Sequence, residues 1–276
     1  MPRKSSKSPA AARRAPARRG NSLDGKSWLR NSISVWSDIR KSPEELRLKH
    51  PAMFPAALAA RLIESFLPEG RQTVLDPFAG TGSTLVAAEQ LQKQAIGFEL
   101  SPEFGAVARQ RLQGSAVKLH TGSVTELLKH VPDQSIDLCI TSPPYWDILN
   151  QRRTADAKAI RHYGNLDDDL GTIADYGQFL TSLTKVFTGV LRVLKPGAYC
   201  CVVVMDLRKK NRFYPFHSDL AARLQEAGFE WDDLVIWNRQ AEYNNLRPLG
   251  FPSVFRINKV HEFILVMQKP HSPGIR

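Results

Sequence analysis

Cysteine is scarce in this chain: three among 276 residues, Cys139, Cys200 and Cys201. None stands at metal-ligand spacing from another cysteine or from the seven histidines, and all three lie in apolar runs. The pattern predicts buried thiols in strands, no disulfide and no metal site. Long apolar runs are lacking as well. No stretch approaches the length needed to span a membrane, and no apolar segment near the N-terminus has the make-up of a secretory signal. Acidic residues are missing from positions 1–20, where Arg3, Lys4, Lys7, Arg13, Arg14, Arg18 and Arg19 sit among Ala, Pro and Ser. That segment holds +7 of the formal net charge of +11. It has too little apolar surface to fold alone. Three readings of it stay open: an arm that binds phosphates by releasing counterions, a solubilising tail, and an Arg-rich organelle transit peptide.

What is present suits one large α/β domain with a small added element, because 276 residues at 42% hydrophobic content can bury a substantial core. The expected organisation is a disordered basic tail over 1–25 and a single domain over 26–276. Phe54, Leu58, Leu62 and Phe66 recur every fourth residue behind Pro55, which predicts a helix closed by Pro68 and Gly70. Strands are expected at 73–75, 95–98, 117–120, 136–141, 199–205, 234–237 and 263–267. Helices are expected at 83–93, 103–113, 124–130, 176–194 and 218–227. Strands alternating with helices at this spacing predict a doubly wound, mostly parallel, seven-stranded sheet. Ligands of such sheets bind beyond the carboxyl ends of the strands, so the chemistry is expected just after Leu75, Phe98, His120 and Ile140.

Asp76-Pro77-Phe78-Ala79-Gly80-Thr81-Gly82-Ser83-Thr84 follows the first of these strands and opens a helix. Gly80 and Gly82 permit a tight turn and close ligand approach, the helix start offers free N–H groups, and Asp76 is placed to anchor the loop. No Lys follows the second glycine, so the loop is not a P-loop. Leu85 stands where a third glycine would complete the dinucleotide fingerprint. Glu99 ends the next strand, where an acid can accept the hydroxyls of a ribose. Loop and acid together favour a nucleoside cofactor.

Ser142-Pro143-Pro144-Tyr145 leaves the strand 136–141 directly. Two prolines end a central strand and present rigid backbone carbonyls. The exocyclic nitrogen of cytosine or adenine is a poor nucleophile because its lone pair is delocalised into the ring. Ser142 Oγ and the Pro143 carbonyl, accepting its two N–H groups, would pull it toward tetrahedral geometry. Tyr145 would stack on a base taken out of the duplex. In-line placement against a methyl donor can then supply on the order of 7–11 kcal/mol.

These elements resemble the amino-methyltransferase family of DNA methyltransferases, which modify cytosine N4 or adenine N6. Asp76–Thr84 resembles its cofactor motif and Ser142–Tyr145 its catalytic motif. His50-Pro51-Ala52-Met53-Phe54-Pro55 resembles the segment near the methionine end of the cofactor, and His261–Val266 a late strand that closes the sheet. The cofactor motif precedes the catalytic one, which resembles a circular permutation of members that run the other way. The resemblance implies a Rossmann-like class I methyltransferase fold and S-adenosylmethionine held by His50, Pro51, Phe54, Asp76, Phe78, Gly80, Gly82, Ser83, Thr84, Glu99 and Thr141. It implies Ser142, Pro143, Pro144 and Tyr145 as catalytic residues and DNA as the partner in a bacterial cytoplasm or nucleoid. A cognate restriction endonuclease encoded nearby is a further implied partner. Ser at the first catalytic position favours cytosine N4. Adenine N6 and the guanine N2 amine of RNA are the alternatives, and a non-catalytic DNA-binding protein on a vestigial cofactor fold is the contrasting one. Target recognition is expected in 207–217 and 238–260, through Arg208, Lys209, Arg239, Asn244, Arg247 and Arg256. The polar stretch 148–172 is a candidate lid.

Overall fold

The computed structural model describes residues 20–48, 53–114, 116–147, 168–209, 211–243 and 246–272. The basic arm up to position 19, most of the candidate lid, His50, Pro51 and Asn244 lie outside the described residues. Residues 20–25, expected to belong to the tail, are tied to the domain. Asn21 is buried and donates to the Ser65 carbonyl at 2.9 Å, and Asp24 caps helix α1 (Gly25–Asn31) by accepting from Ser27 N at 2.7 Å.

The centre is an eight-stranded sheet in the order β1-β9-β10-β6-β5-β2-β3-β4. Its strands are β1 (Val35–Trp36), β2 (Thr73–Asp76), β3 (Gln94–Glu99), β4 (Val117–Thr121), β5 (Ile136–Thr141), β6 (Leu194–Val204), β9 (Glu230–Asn238) and β10 (His261–Gln268). All pairings are parallel except those of β10 with β6 and β9. The seven expected strands are all there. The eighth, β1, is two residues pairing with Ile236 and Trp237, too short to leave a periodic trace in the sequence. A separate hairpin, β7 (Leu207–Lys209) with β8 (Arg212–Tyr214), falls inside the first expected recognition segment.

Both faces of the sheet are covered, as parallel sheets require. Alternation along β6 sorts its side chains. Cys200, Val202 and Val204 join one core with Phe179, Leu183 and Phe187 of α7 (Tyr176–Val193) and Leu220 and Leu224 of α8 (Phe216–Glu226). Cys201 and Val203 join the other with Leu58 and Leu62 of α3 (Ala56–Phe66) and Leu85 of α4 (Ser83–Gln90). The adjacent cysteines therefore face opposite layers, and all three thiols are free and buried in strands. Lys195-Pro196-Gly197 has the make-up of a helix stop. It does follow α7, yet β6 already begins at Leu194, paired with Ile136, and a register shift between Ile136 and Leu138 absorbs the irregularity. Among the described residues, no helix is long and apolar enough to cross a membrane.

Candidate active site

Parallel strands bring their carboxyl ends to one edge of the sheet. β2 lies between β3 and β5, so Asp76, Glu99 and Thr141, the last residues of those strands, meet at one mouth. β10 runs against β6, with Phe263 opposite Val204, so its first residues, His261 and Glu262, arrive at that mouth too.

The Asp76–Ser83 turn is held from several sides. Asp76 Oδ1 accepts from Phe78 N at 3.0 Å and from the Thr141 hydroxyl at 2.7 Å. The latter bond joins the two motif-bearing strands. Gly80 and Gly82 have φ of 54° and 84°, and a Cβ on Gly82 would sit 3.1 Å from that of Ala108, so the turn needs glycine in both conformation and space. Leu85 explains the missing third glycine. It is fully buried, and a Cβ on Gly97 of β3 would meet its Cδ1 at 2.8 Å. The close helix–strand packing is achieved by a glycine on the strand instead of the helix.

Glu99 is buried and accepts from Gly80 N at 2.7 Å and Ser101 N at 2.8 Å, one bond on each oxygen. It therefore shapes the loop as well as offering its remaining lone pairs, of which a carboxylate has about four. Burial pushes its carboxyl up to about 7 despite these bonds, and burial likewise pushes Asp76 up to about 6. Asp76 Oδ2 and Ser83 Oγ are buried without a hydrogen-bond partner among the described residues. A donor-rich ligand with a cationic group suits such orphaned acceptors, so the site fits the ammonium and ribose of S-adenosylmethionine. Thr84 is fully buried and reaches the Ile140 carbonyl at 3.5 Å. Phe54 is buried in the α3 core, and Met53 beside it contacts the turn, its sulfur 2.8 Å from the Thr81 hydroxyl.

Beyond β5, Pro143 is buried and Ser142, Pro144 and Tyr145 are half-buried. Ser142 Oγ lies 3.1 Å from the Tyr145 phenol, which reaches Glu262 Oε2 at 2.9 Å. Arg239 grips Glu262 Oε1 with one nitrogen and Glu242 at 2.9 Å with another. Arg239 thus departs from the expected role on DNA: its side chain is 16% exposed and its guanidinium is committed within the mouth. Lys209 also turns inward, paired with Asp147 and 3.9 Å above the Trp146 ring. Arg208 and Arg247 are exposed, and Arg256 is half-buried 3.4 Å from Asn211 on the β7–β8 turn.

In the sequence Glu262 stands only as part of a strand motif, Met53 only inside the His50–Pro55 segment, and Arg111 in no motif. Arg111 donates to the Thr81 carbonyl at 2.7 Å and pairs with Glu45 at 3.2 Å. An acid inside an otherwise apolar strand was the available signal for Glu262, since buried carboxylates are retained only with partners.

A family model described as DNA methylase matches residues 3–110 and 136–273, and a methyltransferase-domain model matches 75–161. The type II methyltransferase M2.DpnII of Streptococcus pneumoniae is 38% identical over 80 residues, 29% of this chain and 30% of that protein. The orphan methyltransferase M.BamHII of Bacillus amyloliquefaciens is 39% identical over 70 residues, 25% of this chain and 26% of that protein. The chain spans about a third of the length of the curated relatives it matches. Among solved structures, TTHA0409 of Thermus thermophilus, complexed with S-adenosyl-L-methionine, is 28% identical over 55% of each chain with a TM-score of 0.38. The [4+2]-cyclase SpnF, 16% identical, has a TM-score of 0.51 over 79% of this chain and 82% of that one. It shares the fold alone, and a fold by itself does not assign chemistry. The family model covers most of the chain, and the chain belongs to the N6/N4 family of DNA methylases.

Proposed function

We propose that this protein methylates the exocyclic N4 amine of cytosine in DNA. The observation that carries the reading is the 2.7 Å Thr141–Asp76 bond: it locks the end of the cofactor turn against the strand that delivers Ser142-Pro143-Pro144-Tyr145. S-adenosylmethionine supplies, when bound, an electrophilic methyl group on a cationic sulfur. Asp76 and Ser83 would hold it through their unpartnered buried oxygens, and Glu99 through its unused lone pairs. Ser142 Oγ and the Pro143 carbonyl receive the two N–H groups of the amine, which localises the nitrogen lone pair. No strong base is required, because the nitrogen becomes acidic as it is alkylated. Tyr145 presents its ring to the base. Ser142 in place of an acid supports cytosine.

DNA as substrate is supported by the surface beside the mouth. Segment 207–217 contains no acid and 238–260 contains one, Glu242, which is paired with Arg239; between them they carry Arg208, Arg212, Arg247, Arg256 and Lys259. Arg208 and Lys259 both lie over the half-exposed Phe213 ring, at 5.7 and 4.9 Å, which joins the two segments into one cationic, aromatic face suited to phosphates and bases. These two segments are the proposed recognition element of a domain that follows a basic N-terminal arm.

Incubation with methyl-labelled S-adenosylmethionine and duplex DNA, followed by digestion to nucleosides, tests the assignment. Label in N4-methylcytosine is expected. Label in N6-methyladenine overturns the choice of base, and DNA that stays unlabelled while tRNA is labelled overturns the choice of substrate.

A further inference from the structure

Ser142 is asked to accept a hydrogen bond from an amine, yet a serine hydroxyl both donates and accepts and rotates freely. Something must decide which. We propose that Glu262 is a positioning residue that fixes the Ser142 proton away from the substrate, leaving Ser142 an acceptor that takes an amine and refuses a carbonyl. The proposal rests on the amine-methylation reading above.

A carboxylate held by Arg239 on Oε1 has only lone pairs to offer on Oε2, and the Tyr145 phenol lies 2.9 Å from that oxygen. A phenol carries one proton, and burial holds it on Tyr145 by raising its ionisation well above the usual range. That proton goes to Glu262, because a carboxylate oxygen at 2.9 Å is a nearer and stronger acceptor than the neutral ones around the phenol among the described residues, the Ser142 hydroxyl at 3.1 Å and the Val203 carbonyl at 3.5 Å. The phenol oxygen is then left as an acceptor for the Ser142 hydroxyl at 3.1 Å. Two oxygens at that separation share one proton, and only the one on Ser142 is uncommitted. The chain therefore runs Ser142 to Tyr145 to Glu262, and what remains of Ser142 toward the mouth is lone pairs. Cytosine N4 and adenine N6 bring N–H groups to such an oxygen. Thymine O4 and guanine O6 bring a second lone pair and are repelled, which is the kind of unpaired polar contact that yields strong discrimination.

The alternative is that Glu262 and Arg239 form only a structural ion pair at the end of β10. Kinetics on duplex DNA with the full chain separate the two. Glu262→Gln puts an amide where a carboxylate was and lets the chain reverse. Its kcat should fall about 10–100-fold, with KM for DNA and for S-adenosylmethionine within about threefold, as for one hydrogen bond lost at the reacting atom. Because Glu262 acts through Ser142, the double variant with Ser142→Ala should be no slower than Ser142→Ala alone. Tyr145→Phe keeps the ring and the Glu262–Arg239 pair but cuts the chain. It should show the same kcat loss and the same non-additivity, and it decides the matter if Glu262→Gln does not fold. A kcat within about twofold of wild type in the folded variants, or losses that add to that of Ser142→Ala, overturns the inference while leaving the methyltransferase reading intact. A wild-type protein that labels no DNA overturns that reading itself, and the inference with it.

Discussion

At the scale of single residues, the buried carboxylates of the mouth set a pH dependence. Glu99 is held at about 7 by burial, against an ordinary value of 4.5. Between those two values the folded protein binds a proton that the unfolded chain has released, so folding stability falls as pH rises through that window. Other carboxylates oppose this trend: Asp38 and Asp137 are lowered, the first chiefly by its bond to Arg61 and the second by Lys195 and two backbone N–H groups that outweigh its burial. A difference measurement isolates Glu99. The melting temperature of Glu99→Gln minus that of wild type, both without cofactor, should rise from pH about 4.5 to about 7 and level off above. A difference that is flat across this range removes Glu99 as the cause. The sequence marked Glu99 correctly as a strand-end acid at the mouth. It did not show that Gly80 N and Ser101 N occupy one lone pair on each oxygen, because those bonds depend on how the turn from Asp76 folds back over β3.

At the scale of elements, the contact of α4 with β3 is the most sequence-sensitive joint near the turn. Leu85 fills the space that Gly97 leaves, and Ala79 closes it from the other side, 3.1 Å from where a Cβ on Gly97 would stand. Gly97→Ala should destabilise the domain by about 1–3 kcal/mol in denaturant titrations, as overpacking does. Combined with Leu85→Ala, the loss should be smaller than the sum of the single losses, since each change relieves the clash or void made by the other. Fully additive losses contradict this account. Element types were legible here: β5 has the expected bounds, and α3, α4 and α5 (Pro102–Arg111) fall within a few residues of expectation. Boundaries shifted where polar residues continue a strand, as Glu230, Asp232 and Asp233 do at the start of β9. The β7–β8 hairpin went unseen because three-residue strands carry no measurable alternation.

At the scale of the whole molecule, charge is distributed so that the mouth opens beside a cationic face. Arg208 and Arg256 both reach Asn211, at 3.2 and 3.4 Å, which sets them side by side on the hairpin turn. Replacing both by Ala should weaken DNA binding and lower the slope of log affinity against log salt by about 2, roughly one per phosphate contact, while kcat at saturating DNA holds. An unchanged slope excludes this pair from the interface. Arg239 and Lys209 lie in the same two expected segments but face inward. Their substitution is expected to act on the mouth and not on the salt dependence.

Strand and helix periods, the glycine turn after a strand and Ser-Pro-Pro-Tyr after another are local facts of the chain, and they were enough to specify the doubly wound sheet and the family. Partnership was not local. Glu262 lies 117 positions from Tyr145, and only the reversed direction of β10 carries it to the carboxyl edge of β5 and β6. Which of several arginines faces solvent and which closes a buried chain is likewise a matter of sheet order and burial, and no linear pattern of charge encodes it.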